Sequence, residues 1–179
     1  MQKEDAWIRT YTGGKLYYFH PEKSKIEIED IAHALSLICR FNGATKDFYS
    51  VAQHSVFVAD KVKENGGTQE EIYSALMHDA AEAFISDVPS PFKKFFPGFK
   101  KAETRMEKFL ANKFQFKFPY GQIVKEYDLI ALSTEMRDLM SVCDNKLLKI
   151  KPLNERIKPK SAKQAKQLFL NRYANYRYN

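Results

Sequence analysis

The spacing of hydrophobic and polar positions predicts one short β-hairpin followed by a run of amphipathic helices. Residues 7–19, WIRTYTGGKLYYF, set β-branched and aromatic residues on either side of Gly13-Gly14, which suits two strands closed by a tight turn. Over residues 30–41, Ile31, Ala32, Leu35 and Ile38 share one helical stripe, and Asn42-Gly43 supplies a C-cap. Residues 50–65 carry Val51, Val58 and Val62 around His54 and stop at Gly66-Gly67. Residues 68–84 open with a Thr68–Glu71 capping box and repeat Ile72, Leu76 and Ala80 on one face. Pro89, Pro91, Pro97 and Gly98 make residues 85–98 a loop. Further helices are expected over 99–114, with Met106, Phe109 and Leu110, over 120–144, and over 161–176, where Ser161 and Gln164 form a second capping box. No repeat or domain boundary interrupts the pattern. The expected architecture is therefore all-α, a single helical bundle over residues 1–179 with a small N-terminal hairpin.

Composition narrows the setting. The chain has 179 residues, 44% hydrophobic and 28% charged, which excludes wholesale disorder. No apolar run approaches the roughly 18 residues of a membrane span, and the start, MQKEDAWIRTYTGG, lacks the pattern of a signal peptide. Cys39 and Cys143 form no CxxC pair, so a disulfide scaffold or cysteine-zinc site is excluded and both are expected as buried small hydrophobes. A cytoplasmic protein with no membrane partner is the expectation.

Charge separates the body from the tail. Residues 146–179 hold ten Lys+Arg and one acid, Glu155, whereas the remainder holds nineteen bases and twenty-one acids. The tail interleaves Phe169, Tyr173, Tyr176 and Tyr178 with Lys160, Lys163, Lys166, Arg172 and Arg177. Such a mixture can bind single-stranded nucleic acid. It can also pack a helix onto its own bundle or onto the next subunit of a homo-oligomer, and the Leu168–Phe169 stripe favours packing.

Candidate chemistry rests on few residues. The four histidines are His20, His33, His54 and His78, and His78 is followed directly by Asp79. Imidazole with carboxylate suits a divalent transition metal. The helices carrying His54 and His78 are joined by a short Gly-Gly turn, so antiparallel packing would bring the two imidazoles together. Asp128, inside the apolar stretch YDLIAL, is a candidate fourth ligand, with pairing to Lys125 the alternative. Glu82 lies one helical turn after His78 and so is expected to face the same site. His33 is expected to pack rather than ligate.

The segments AQHSVFVA, ALMHDAAEAFISDVPSPFK and EYDLIAL resemble the HD-domain phosphohydrolases, and among them the 5′-deoxynucleotidases and the small phage dATP triphosphohydrolases. The likeness runs from about Ile28 to Leu139. It implies His54, His78, Asp79 and Asp128 as ligands of one divalent ion, zinc, cobalt or manganese, which would acidify water and neutralise phosphoryl oxygens. It implies Glu82 as the catalytic glutamate and Asp87 as a second acid near the attacking water. For Asp87, a turn-stiffening role stands as an equal alternative. Lys93 matches a phosphate-contacting lysine, and Arg40-Phe41 match a pair in which Arg clamps phosphate and an aromatic packs on the sugar.

Two positions depart from the family pattern. Phe41 replaces a tryptophan, which bears on exclusion of the ribose 2′-hydroxyl. Gln53 replaces a glutamate expected behind the ligands. The resemblance implies a deoxynucleotide substrate. The lysines near the proline loop, Lys93, Lys94, Lys100 and Lys101, favour a dNTP, dATP first, cleaved to deoxynucleoside and triphosphate; release of phosphate from dNMPs is the alternative.

Overall fold

The computed structural model describes residues 6–143 and 150–177. A hairpin, β1 (Trp7–Arg9) and β2 (Lys15–Tyr17), precedes helices α1 (Ile28–Leu37), α2 (Val51–Glu64), α3 (Gln69–Met77), α4 (Glu82–Ile85), α5 (Ser90–Lys93), α6 (Pro97–Phe114), α7 (Gln122–Leu139) and α8 (Ala162–Tyr176). The mostly helical class with an N-terminal hairpin is as the sequence predicts. No described helix is long and apolar enough to cross a membrane.

The hairpin is short, antiparallel and in register, with Trp7 opposite Tyr17 and Arg9 opposite Lys15. Gly14 sits where a Cβ would stand 2.2 Å from the Lys25 carbonyl oxygen, so only glycine allows the backbone that close. Asp30 ties the hairpin to α1. Its carboxylate accepts from Thr12 N at 2.7 Å and Thr12 Oγ1 at 3.1 Å, and from Glu27 N at 2.8 Å as half of a capping box.

Helix α2 is the centre of the bundle, in contact with α1, α3, α7 and α8. Its Val51, Ala52, Val58, Ala59 and Val62 are fully buried, alongside Ile31, Leu35, Leu76 and Met77 of neighbouring helices. A helix apolar on several faces can be surrounded in this way. Surrounding it also carries the one polar ring in its middle, His54, out of water.

Helix α8 packs on α1, α2 and α3. Ala165 and Phe169 are fully buried, Arg172 forms a bidentate pair with Asp60 at 2.7 and 2.9 Å, and the Tyr176 hydroxyl donates to Asp60 at 2.6 Å. The tail's aromatics Phe169 and Tyr176 are thus packed against the chain's own bundle. Lys146, Lys149 and Tyr178, which belong to the same basic stretch, lie outside the described residues. The irregular run before α8 is pinned as well. Asp138 takes Ile157 N at 2.9 Å, Arg156 at 2.6 Å and Arg137 at 2.7 Å, and Thr134 Oγ1 takes Leu153 N at 3.1 Å.

Several predicted boundaries move. The first helix spans Ile28–Leu37 rather than 30–41, because residues 38–40 leave it to pair with residues 49–51: Val51 N donates to Ile38 O at 3.1 Å and Arg40 N to Tyr49 O at 2.9 Å. Asn42-Gly43 is therefore not a C-cap but part of a turn in which Phe41 and Asn42 both adopt positive φ, 55° and 52°. The helix expected over 68–84 ends at Met77, continues through tight turns, and resumes as α4. Residues 90–93 of the expected loop form a single helical turn. The helix expected over 120–144 stops at Leu139, where Met140 bridges to Thr45. Cys39 and Cys143 are half-buried rather than buried.

Two stability measurements check this packing. Phe169→Ala removes a fully buried ring and is expected to cost about 3–5 kcal/mol in denaturant unfolding. Its cationic partners hold Asp138 down at about 2, although burial alone would raise it. The folded value lies below the unfolded one near 3.9. The contribution is therefore full above about pH 4 and lost as pH falls towards 2. Asp138→Asn is expected to lower stability by about 1–2 kcal/mol at pH 7, and thermal unfolding curves of the two proteins should converge near pH 2.

Candidate active site and metal cluster

Each side chain at the centre of the bundle is placed by a local feature of sequence. Ser50 caps α2 by accepting from Gln53 N, and His54 follows one turn later with no exposed surface. Thr68 and Glu71 start α3, which ends at Met77, so His78 and Asp79 leave its C-terminus together. From there Ala80 N donates to Met77 O and Glu82 N to Asp79 O, so three-residue turns tighten the chain without unwinding it. Glu82 therefore still comes round to the same cleft, although α3 has already ended. Asp128 comes from α7, which packs on both α2 and α3.

These elements bring His54, His78, Asp79 and Asp128 together. The two imidazole Nε2 atoms stand 3.3 Å apart. Asp79 Oδ2 is 3.4 Å from His54 Nε2 and 3.2 Å from His78 Nε2. Asp128 Oδ1 is 3.2 and 3.8 Å from the same two atoms. Ligands about 2.1 Å from one ion at ordinary coordination angles stand roughly 3.0–3.4 Å apart, and four of these five separations lie within that range, Asp128–His78 at 3.8 Å being wider. Behind the rings, Nδ1 of His54 meets Glu135 Oε1 at 2.6 Å and Nδ1 of His78 meets the Ala75 carbonyl oxygen at 2.7 Å. Both acceptors hold the proton on Nδ1 and turn the Nε2 lone pairs inward, the usual support of metal-binding histidines. His54, His78 and Asp128 form a possible metal site. Asp128 is less buried than its apolar neighbours suggest: its side chain is 40% exposed, at the cleft wall.

The electrostatics point the same way. Burial and the Arg40 cation oppose a charge on His54, but Glu135 and Asp128 outweigh them and its pKa is raised. Burial likewise opposes a charge on His78, and Asp79 and Asp128 raise it well above the ordinary value. Burial would raise Asp79, yet His78, His54 and Arg40 hold it at about 2; the same imidazoles lower Asp128. The cluster therefore attracts positive charge to the space between its donors. A proton or a metal ion supplies that charge.

Beside the cluster lies a cleft of about 470 Å³ lined by Arg40, Phe41, Asn42, Asp79, Glu82, Asp87, Lys93, Asp128, and the apolar Val88, Pro89, Leu129 and Leu132. All the remaining predicted site residues, Glu82, Asp87, Arg40, Phe41 and Lys93, are thus gathered on one wall or another. Glu82 is buried, and its Oε2 meets no hydrogen-bond partner. Burial pushes its pKa up to about 10, with Asp79 and Asp87 adding to the rise against Arg40 and Lys93. Burial also raises Asp87. Arg40 Nε lies 3.1 Å from Glu135 Oε2 and Nη1 lies 3.5 Å from Asp79 Oδ2. Lys93 Nζ is held by Glu103 at 2.6 Å.

His33 lies outside this group and stacks on Tyr11 at 3.7 Å. Gln53 does not stand behind the ligands, as its position had suggested. Its amide nitrogen donates to Lys158 O and its amide oxygen accepts from Lys160 N, both at 2.8 Å, so it holds the segment before α8. A glutamate could not make the first of these bonds. Glu135 is the residue that the sequence reading missed. Its signal was present: it follows Asp128 by seven residues, two helical turns along the same face of α7.

Residues 35–172 match the family model described as 5′-deoxynucleotidase YfbR-like. The chain is 42% identical over 134 residues to the uncharacterised protein YfdR of Escherichia coli, spanning 75% of this chain and 72% of that one. It is also 42% identical over 92 residues to an uncharacterised protein of Rhodobacter capsulatus, spanning 49% of this chain and 47% of the relative.

Metal titration by calorimetry checks the cluster. The chain is expected to bind one divalent ion, and His78→Ala or Asp128→Ala to abolish that binding. Because both histidine pKa values lie above the ordinary 6.5, the ion competes with protons at neutral pH. Affinity is then expected to rise with pH up to those values, by about tenfold per unit for each proton displaced. Binding in two buffers of different ionisation heat reads the proton release directly; no release would remove this account of the site.

Proposed function

The chain belongs to the YfbR-like 5′-deoxynucleotidase family of HD-domain hydrolases, and we propose that it hydrolyses 2′-deoxynucleoside 5′-monophosphates to deoxynucleoside and orthophosphate. The observation that carries this reading is the cleft itself, in which a cluster of four metal-type donors opens beside Arg40 and a buried, unpaired Glu82. His54, His78, Asp79 and Asp128 are the residues that would hold the ion. When bound, a divalent ion supplies Lewis acidity, polarising a phosphoryl oxygen and making water a nucleophile near neutral pH.

The chain's own residues do the rest. The guanidinium of Arg40 is fixed from behind and offers its remaining edge to phosphoryl oxygens. Lys93, which also lines the cleft, adds a second positive charge. Burial favours the protonated form of Glu82, and a divalent ion held by the neighbouring donors would lower its pKa towards the working range. It is thus suited to give a proton to the departing 5′-oxygen as water adds to phosphorus and the P–O bond breaks, one proton of that water then restoring Glu82 and the other staying on the orthophosphate. Asp87 lies near enough to Glu82 to raise its pKa and so helps to keep the proton there. Phe41, Leu129 and Leu132 form the apolar wall for sugar and base.

The spatial placement of the lysines favours a monophosphate over a triphosphate. Of the four lysines near the proline loop, only Lys93 lines this cleft. Lys100 shares Glu103 with it at 3.1 Å, and Lys101 lines a separate cleft with Phe19 and Arg105. Two cations facing Asp79, Glu82, Asp87 and Asp128 suit one phosphoryl group rather than the four or so charges of a triphosphate.

A product assay tests the reading. Metal-stripped protein is reloaded separately with zinc, cobalt and manganese and offered each dNMP, dNTP and ribonucleoside monophosphate, with products resolved by chromatography. Orthophosphate from dNMPs is expected, and Glu82→Gln is expected to lower kcat by about 10²–10⁴ with little change in KM. Intact triphosphate released from a dNTP would instead assign a triphosphohydrolase, and no turnover with any metal would end the enzyme reading for these substrates.

A further inference from the structure

Glu135 has no exposed surface, and both of its oxygens are engaged by side chains of the site. Oε1 lies 2.6 Å from His54 Nδ1 and Oε2 lies 3.1 Å from Arg40 Nε. Arg40 in turn reaches Asp79 Oδ2 at 3.5 Å, and that same oxygen stands 3.4 Å from His54 Nε2. Four side chains from α2, the turn after α1, the end of α3 and α7 thus close a ring. Two of them belong to the proposed metal cluster, Arg40 to the proposed phosphate site, and Glu135 to neither.

We propose that Glu135 is a positioning residue that fixes the metal site and the phosphate site as one unit, one oxygen aiming His54 and the other aiming Arg40. The inference rests on the reading of the site given above. Its chemical basis is that both partners donate. The Nδ1–H of His54 and the Nε–H of Arg40 each need an acceptor, and an ionised carboxylate offers each a separate oxygen with no donor of its own. An amide in its place would accept from one partner and turn its own N–H towards the other. At a position with no exposed surface, that unmatched donor pair is costly, and one partner must move. A carboxylate that served stability alone would matter equally for folding but would leave metal affinity and nucleotide affinity untouched in the folded protein.

The test uses the full chain with Glu135→Gln, Arg40→Ala and the double variant, measuring zinc binding by calorimetry and steady-state hydrolysis of a dNMP at saturating zinc. Glu135→Gln is expected to weaken zinc about 10–100-fold and to raise KM by about tenfold. In the Arg40→Ala background, Glu135→Gln is expected to raise KM no further, because the group that it aims is gone. Zinc affinity and KM both within about twofold of the parent would overturn the proposal. So would KM effects that multiply independently in the double variant.

Two further measurements serve if Glu135→Gln does not fold. Glu135→Asp keeps both acceptors but sets them back by one methylene, and its expected result is partial loss of both affinities; parent-like values for both would overturn the proposal. Nitrogen-15 spectra of the zinc-loaded parent protein should show His54 protonated at Nδ1, and a deprotonated Nδ1 would overturn it. Failure of the parent to bind zinc or to turn over a dNMP sinks the reading of the site. A parent that does both, matched by Glu135→Gln, sinks only the role of Glu135.

Discussion

Two imidazole rings meet tip to tip in the centre of the bundle, their Nε2 atoms 3.3 Å apart, and most of the fold is arranged around making that meeting tolerable. Two lone pairs at that separation repel unless something positive lies between them. Every neighbour acts on the same problem: Glu135 and the Ala75 carbonyl fix the outer nitrogens, while Asp79 and Asp128 face the inner ones. The geometry requires α2 to be enclosed, so that His54 is dry. It requires α3 to end at Met77, so that His78 and Asp79 can both turn inward. It also requires α7 to lie alongside, so that one helical face delivers Asp128 and Glu135. A buried polar cluster of this kind is stable only when every member is matched.

Much of this was legible in the chain. The helix starting at Ala162 was announced by Ser161 and Gln164, and the start of α3 by Thr68 and Glu71, because capping boxes are local chemistry. The hairpin followed from Gly13-Gly14. The resemblance of the motifs around His54, His78-Asp79 and Asp128 to HD-domain phosphohydrolases implied the four donors as a set, and the residue types suited it. What was not legible depends on contacts distant in sequence. Residues 38–40 carry helical periodicity, but their backbone pairs with residues 49–51 instead, and tertiary hydrogen bonds override a weak propensity. That departure from helix takes Arg40 to Glu135, ninety-five residues away.

The lysines and Gln53 show the converse limit, in which a linear neighbourhood misleads about a spatial one. Lys93, Lys94, Lys100 and Lys101 read as one cationic patch, yet Lys93 lines one cleft and Lys101 another. Gln53 adjoins His54 in sequence and so looked like its support. Adjacent residues on a helix point about 100° apart, and the amide reaches the backbone of Lys158 and Lys160 on a different face of α2. Glu135 does what Gln53 was expected to do, from the far side of the ring.

The same pair of hydrogen bonds from Gln53 ties the helix that carries His54 to a part of the chain made later. All four donors of the cluster have been synthesised once residue 128 has left the ribosome, but the helix that carries His54 also needs α8 across another of its faces, with Ala165 and Phe169 as its seal. Until residues 162–176 emerge, α2 lacks one of its walls. A nascent chain can therefore contain all four donors before α2 is fully enclosed. The helix that carries His54 thus receives its final wall from the C-terminal helix, which contributes none of the four donors.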